Sequence, residues 1–183
     1  MSRKKAPPGK VTVELQGIDK RVLKHVWDKM RKGEELRGQE IYIGRSMADH
    51  PQWFPLFETI GLLEGDDTLP DGQNPYVHLT FHVMMGSQVF NRNPKEAEVF
   101  YRLRLKRGDQ PHDIIHMMIN VFQRHLVWTA QNAKQGGSGD FDIRAYAKTL
   151  RSLQNLKTDK LWQRLGYSTV PKAHEGEAPY QPR

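Results

Sequence analysis

Apolar residues recur at helical spacing over most of the chain. The first such pattern begins at Ile18 and ends at Lys32, where cationic residues in the last turn and Gly33 just beyond are typical of a helix C-terminus. A second helix is predicted over residues 35–49. It must end before Pro51, because the residue that precedes a proline is pushed out of helical geometry.

Three better-marked helices follow in the middle of the chain. Asn74-Pro75 supplies a typical N-cap and first helical residue for a helix that we expect to run to about residue 90. Asn93-Pro94 repeats this signal for a shorter helix that ends near residues 106–108. Asp109, with a proline close behind it, opens the longest predicted helix, which reaches about residue 132.

The segments between and after these helices are less regular. Residues 51–63 predict a packed irregular segment or a single helical turn, and residues 64–73 an acidic loop. Residues 135–139, Gln-Gly-Gly-Ser-Gly, predict a flexible hinge. Beyond this hinge, apolar positions mark one amphipathic helix (Ile143, Tyr146, Leu150 and Leu153) and a short further turn (Leu161, Trp162 and Leu165).

Together these patterns predict an all-α protein built as a small helical bundle. Residues 1–17 form a flexible basic arm. Within it, apolar and polar side chains alternate over residues 11–15, as in a short strand, but no partner strand is predicted. Residues 18–134 form the bundle core. Residues 135–183 form a helical C-terminal extension, with a disordered tail from residue 171. We expect this extension to fold back on the core rather than to dock on another protein.

Composition narrows the possible functions. The chain has 183 residues, which favours a single domain, and it contains no cysteine. Disulfide bonds, thiol catalysis and cysteine-ligated metal sites are therefore excluded. The absence of a long apolar run and of a secretory signal predicts a cytoplasmic protein that does not enter a membrane. Motifs of serine hydrolases, phosphate-binding loops and dinucleotide-binding folds are also absent from the sequence.

The net charge of +7 is unevenly distributed. Residues 1–32 carry ten Lys and Arg against three acids, residues 33–90 carry two against nine, and residues 91–183 carry 16 against nine. One interpretation of the basic segments is that they are ordinary solvated surface. The alternative is a basic binding module that contacts RNA, DNA or a larger protein assembly through residues 1–32, the stretch 101–107 and the C-terminal extension.

Histidine spacing gives the most specific chemical signal. The two helices that begin near residues 74 and 109 are apolar on nearly every side, and each carries a His-x-x-x-His pair, namely His78 with His82 and His112 with His116. Residues four apart share one helix face. Short connections force an up-down-up path, so both pairs should lie at the same end of the bundle, and His50 should reach the same level from the preceding helix.

Five converging imidazoles predict a metal site. Neutral histidine suits zinc, iron, nickel or copper, and zinc or iron is the ion that we expect. Asp49, Glu58 and Asp113 are candidates to orient the rings or complete the coordination. Two alternatives stay open, since the histidines can form structural hydrogen bonds or a metal-free acid–base site. Peptidase and carboxylate di-iron chemistry are weakly supported, because the helix has Asp113 in place of glutamate and the inward glutamates are missing.

Three blocks of sequence resemble a bacterial family, the domain of unknown function (DUF) 1841. They are His50-Pro51, Asn74-Pro-Tyr-Val-His-Leu-Thr-Phe-His82, and His112-Asp-Ile-Ile-His-Met-Met118 leading to Trp128-x-x-Gln131. The resemblance covers about residues 20–133. It implies a small helical bundle and brings no established activity. Four positions depart from the family pattern, where Gln52, Ser87 and Asp113 stand in place of glutamate and Phe54 in place of histidine.

The sequence therefore predicts a small helical protein with a histidine-lined metal site and an undefined biological role. The sequence does not decide whether the protein is an enzyme. The arm at the N-terminus and the segment from residue 136 onward are interpreted as additions to the family core.

Overall fold

The structure is a computed structural model that describes residues 18–60 and 74–171. Within these residues the chain forms eight α-helices and no β-strand, which confirms the all-α prediction. The helices are α1 (Lys20–Lys32), α2 (Gln39–Ala48), α3 (Phe54–Glu58), α4 (Pro75–Asn91), α5 (Lys95–Lys106), α6 (Pro111–Lys134), α7 (Ile143–Leu153) and α8 (Thr158–Arg164). A 3₁₀ turn at Pro51–Trp53 joins α2 to α3. The predictions for the arm, for residues 64–73 and for nearly all of the tail fall outside the described residues.

Local sequence signals set the ends of the best-predicted helices. The Asp19 carboxylate caps α1 by accepting a hydrogen bond of 2.8 Å from the Arg21 amide, and Gly33 ends the helix with a φ of 69°. The Asn74 side chain accepts hydrogen bonds from the amides of Tyr76 and Val77 at the start of α4. Side-chain caps and a left-handed glycine therefore account for these boundaries.

Three predicted helix starts were wrong. Helix α2 begins at Gln39 rather than at residue 35, because Gly38 takes a φ of 56° that helical residues do not adopt. Pro94 follows a cis peptide bond and is the cap of α5 rather than its first residue. Helix α6 begins at Pro111, since the Asp109 carboxylate pairs with a buried arginine instead of capping the helix.

Two hydrophobic clusters fill the interior, and α4 contributes to both. The first, which we call the N-terminal core, is built by α1, α2, α3 and the first half of α4 (Leu23, Val26, Trp27, Ile43, Met47, Trp53, Phe57, Ile60, Tyr76, Leu79 and Val83). The second, the C-terminal core, joins α4, α5 and α6 to the last two helices. The shared helix α4 couples the two cores, because it places alternate faces in each.

The C-terminal extension packs back on the rest of the protein, as expected. Six of its side chains are buried in the C-terminal core: Tyr146, Leu150, Leu153, Leu161, Trp162 and Leu165. The Tyr146 hydroxyl also donates a hydrogen bond of 2.9 Å to Gln88 Oε1 on α4. Residues 135–139 form a turn in which Asn132 Nδ2 donates to the Ser138 carbonyl, so the predicted hinge joins two packed helices.

A buried ion pair fastens α8 to the start of α6. Arg104 is fully buried, and its Nη2 lies 2.6 Å from Asp109 Oδ2. The same guanidinium donates to the Leu156 carbonyl and to Thr158 Oγ1, while Thr158 donates to Asp109 Oδ1 at 2.6 Å. Hydrogen bonds to the guanidinium and the carboxylate offset part of the cost of burying the two charges, while Arg104 Nε has no hydrogen-bond partner among the described residues.

The helices give no sign of a membrane span. Among the residues that the structure describes, none forms a helix that combines the length and the apolar character needed to cross a bilayer.

Candidate metal centre

The fold brings the predicted histidines together at one end of α4 and α6. His78 and His82 lie in the first half of α4, His116 lies in the second turn of α6, and His50 follows the end of α2. One ring nitrogen from each of these four side chains lies within 4.8 Å of the others. The convergence expected from the up-down-up path is therefore found, with the nitrogens of four histidines in one set and the ring of His112 beside them.

The four nitrogens meet through their Nε2 atoms. The Nε2–Nε2 distance is 2.9 Å between His50 and His78, 2.9 Å between His78 and His82, and 3.0 Å between His82 and His116. A neutral imidazole Nε2 carries either one hydrogen or one lone pair, so it forms one hydrogen bond along its axis. At most two of the three contacts can therefore be hydrogen bonds at any moment.

The tautomer of His50 follows from its other nitrogen. His50 Nδ1 lies 2.6 Å from the Ser46 carbonyl oxygen, and a carbonyl only accepts hydrogen bonds. Nδ1 therefore carries the hydrogen, and in the neutral ring Nε2 presents its lone pair to the other histidines. Trp53 stacks on the His50 ring with a centroid distance of 4.6 Å and an interplanar angle of 6°. The hydrogen bond to the carbonyl and the stacking contact with the indole hold the ring in an orientation that suits a metal ligand.

Burial disfavours the charged form of His82. His82 is 4% exposed and His50 is 1% exposed, whereas His78 and His116 are partly buried. Burial lowers the pKa of His82 well below its ordinary value, and positive charge on His116, His50, His78 or His112 lowers it further. The neutral form, which is the form that binds metal ions, is therefore favoured at neutral pH.

His112 lies beside this group but outside the set of four nitrogens. Its ring centroid is 4.5 Å from that of His116, 4.8 Å from that of His50 and 5.0 Å from that of His82. It is the second residue of α6, one turn before His116, and it packs largely edge-on against the other rings. Its role as a fifth ligand remains a prediction.

The predicted carboxylates do not enter the four-histidine set in the described residues. Glu58 forms an ion pair with Arg31 of α1. Asp49 caps the C-terminus of α2 and lines a cavity next to His82. Within the described residues, the ligand atoms of this set are therefore all imidazole nitrogens.

Sequence reasoning missed this cavity, which lies between α2, α4, α5 and α6. Its volume is about 180 Å³, and His82 is the only member of the four-histidine set that lines it. The one sequence signal is Gly86, a glycine within an otherwise apolar helix. A Cβ atom at this position would lie 3.2 Å from Tyr42 Cδ1, so glycine lets the tyrosine ring approach α4 closely.

Most Lys and Arg side chains of α1, which belongs to the first basic segment, form intramolecular ion pairs. In the described part of residues 1–32, α1 and its cap contain five ion pairs: Arg21–Asp19, Lys24–Asp28, Lys29–Glu40, Arg31–Glu58 and Lys32–Glu34. In the stretch 101–107, Arg104 is buried and forms an ion pair with Asp109. Nucleic acid binding by the basic segments remains a prediction.

Comparison with known proteins places the chain in a family. No curated protein and no solved structure matches it. The family model described as Domain of unknown function (DUF1841) matches residues 18–152. This range extends beyond the motifs at residues 20–133 and includes nearly all of α7, so α7 is part of the family core rather than an addition to it. The chain belongs to the DUF1841 family.

Proposed function

We propose that the protein binds one divalent first-row transition-metal ion through His50, His78, His82 and His116. The observation that carries this proposal is the meeting of four imidazole Nε2 atoms with three separations of 2.9–3.0 Å. Hydrogen bonds among neutral rings satisfy at most two of these contacts. A cation between the nitrogens would accept all four lone pairs at once.

The dimensions of the cluster support this proposal. Zinc–nitrogen bonds of about 2.0–2.1 Å in a tetrahedral site place the nitrogens about 3.3 Å apart. The observed separations of 2.9–3.0 Å are a few tenths of an ångström shorter. All four nitrogens lie within 4.8 Å of one another, so side-chain rotations that adjust these separations would bring the cluster to this size.

Zinc is the ion that the donor set favours, with iron as the alternative. Four neutral nitrogens without a thiolate suit either metal, but the affinity of such sites rises from iron(II) to zinc(II). A closed set of four protein ligands is typical of a structural zinc site. Bound zinc would join the end of α2 to α4 and α6, and so would cross-link the segments around both hydrophobic cores.

Elemental analysis tests the proposal. Untagged protein, purified without chelator and reconstituted with zinc, should contain about one zinc per chain. The double variant His78→Ala/His116→Ala should lose the metal while its far-ultraviolet circular dichroism stays helical. His25→Ala is the matched control, since this histidine lies on α1 with a side chain 64% exposed, and it should retain full occupancy. Wild-type protein that binds none of zinc, iron, cobalt, nickel or copper would overturn the proposal.

Cobalt substitution then tests the size of the ligand set. Cobalt(II) in a tetrahedral four-nitrogen site gives intense visible absorption that a higher coordination number weakens. His112→Ala should leave both the cobalt spectrum and the stoichiometry unchanged, because His112 is outside the set of four nitrogens. A changed spectrum in this variant would instead support the fifth ligand predicted from the sequence.

A further inference from the structure

We propose that the cavity beside His82 binds a small aromatic acid, whose ring lies among the apolar walls and whose carboxylate lies between Arg45 and His82. The acidic character of this ligand rests on the metal centre proposed above, whereas the preference for a ring does not.

The volume and the walls of the cavity define the size of the ligand. An engineered apolar cavity of about 150 Å³ accommodates benzene. The cavity here has about 180 Å³, which leaves room for one ring and a small substituent. Its walls are mostly apolar or aromatic and come from α4, α5 and α6, with Val89, Phe90, Tyr101 and Ile115 among them. A single ring is therefore the class of molecule that fills this space.

The polar side of the cavity belongs to α2. Arg45 and Asp49 lie one helical turn apart, and both line the cavity. Ser46, between them, is 4% exposed, and its carbonyl is the group that accepts from His50 Nδ1. The cavity wall is therefore continuous with the groups that orient the histidines.

The charge balance favours an anion. Arg45 and Asp49 contribute opposite charges, so their net contribution is small. Histidine binds metal ions through its neutral imidazole, so a divalent ion held by the four histidines would keep its full positive charge. Because His82 lies in both the histidine cluster and the cavity wall, this charge acts on whatever occupies the cavity. A carboxylate on the ring would be attracted by it, and an alcohol of the same shape would not.

Isothermal titration calorimetry with sodium benzoate and with benzyl alcohol tests the proposal. Zinc-loaded wild-type protein should bind benzoate with a submillimolar Kd, at least tenfold more tightly than benzyl alcohol. Val89→Phe should fill the cavity and weaken benzoate binding more than tenfold, with the zinc content unchanged. Val127→Phe is the matched control, since this valine of α6 is 57% exposed and does not line the cavity. It should bind as the wild type does.

A second variant tests the proposal even if Val89→Phe does not fold. Arg45 is exposed, so Arg45→Gln should fold normally, weaken benzoate binding several-fold and leave benzyl alcohol binding unchanged. Zinc-loaded protein that fails to bind benzoate at millimolar concentration would overturn the pocket and leave the metal centre standing. Unchanged benzoate binding in Val89→Phe would also overturn the pocket. If no zinc binds, but both compounds bind equally and Val89→Phe abolishes this, the ring pocket stands and the acid preference falls with the metal centre.

Discussion

Zinc binding at the four-histidine centre should stabilise the folded protein by a predictable amount. Along the chain, the paired histidines are 28, 4 and 34 residues apart, so the unfolded chain does not present them together. The ion should therefore bind the folded state almost exclusively. At a free zinc concentration about 1,000 times the Kd, this linkage adds about 4 kcal/mol to the free energy of unfolding. For a domain of this size, about 4 kcal/mol raises Tm by about 8–16 °C.

Thermal unfolding followed by circular dichroism measures this shift. Wild-type protein treated with chelator is compared with the same protein in excess zinc. The His82→Leu variant should lose nearly all of the zinc-dependent increase in Tm, because His82 Nε2 takes part in two of the three close contacts. The exposed His25 is the control position, and His25→Ala should show the full increase.

Two results would refute the reasoning. An unchanged Tm of the wild-type protein in excess zinc would show that the four nitrogens do not form a folded-state site. A full zinc-dependent increase in His82→Leu would show that the ion stabilises the protein from somewhere else.

Three further predictions concern the stability of the zinc-free protein. Burial lowers the pKa of His82 and His125 in the folded state, so below about pH 6.5 the unfolded chain binds more protons than the folded protein. The midpoint of urea unfolding should therefore fall from pH 7 to pH 5 and stay level above pH 7. A midpoint that rises on acidification would contradict this. Asp109→Asn leaves the buried Arg104 without its carboxylate and should cost about 3–5 kcal/mol in urea unfolding, whereas a loss below about 1 kcal/mol would mean that water enters the site. Trp162→Ala should cost about 3–5 kcal/mol, since this ring is 3% exposed in the C-terminal core, and thermal melts that match the wild type would show that α8 is not needed for folding.

The main features of the site follow from the sequence because they depend on helical periodicity. The spacing of four residues placed His78 with His82 on one face of α4, and short connections placed α6 so that His116 meets them. The direction of α2 placed His50 at the same level. These are consequences of helix geometry and connection length, which the sequence encodes locally.

Other features depend on contacts that local sequence does not encode. His112 precedes His116 by four residues, as His78 precedes His82, yet it lies outside the four-nitrogen set. The position of a side chain in the first turn of α6 depends on how the start of the helix packs. Glu58 was expected near the histidines and instead pairs with Arg31, which lies 27 residues earlier. The cavity beside His82 arises from the meeting of four helices, and its only sequence signal is Gly86.

The stacking of Trp53 on His50 gives the protein an intrinsic optical reporter. An excited indole in van der Waals contact with a ligand ring transfers its energy efficiently to an open-shell ion that this ligand holds. Copper(II) or cobalt(II) at the four-histidine centre would therefore quench the emission of Trp53, whereas zinc, with its filled d shell, would leave it bright. The occupancy of the site and the class of its ion can thus be followed in unlabelled protein by fluorescence, with Trp53→Phe as the reference that reports the emission of the other three tryptophans.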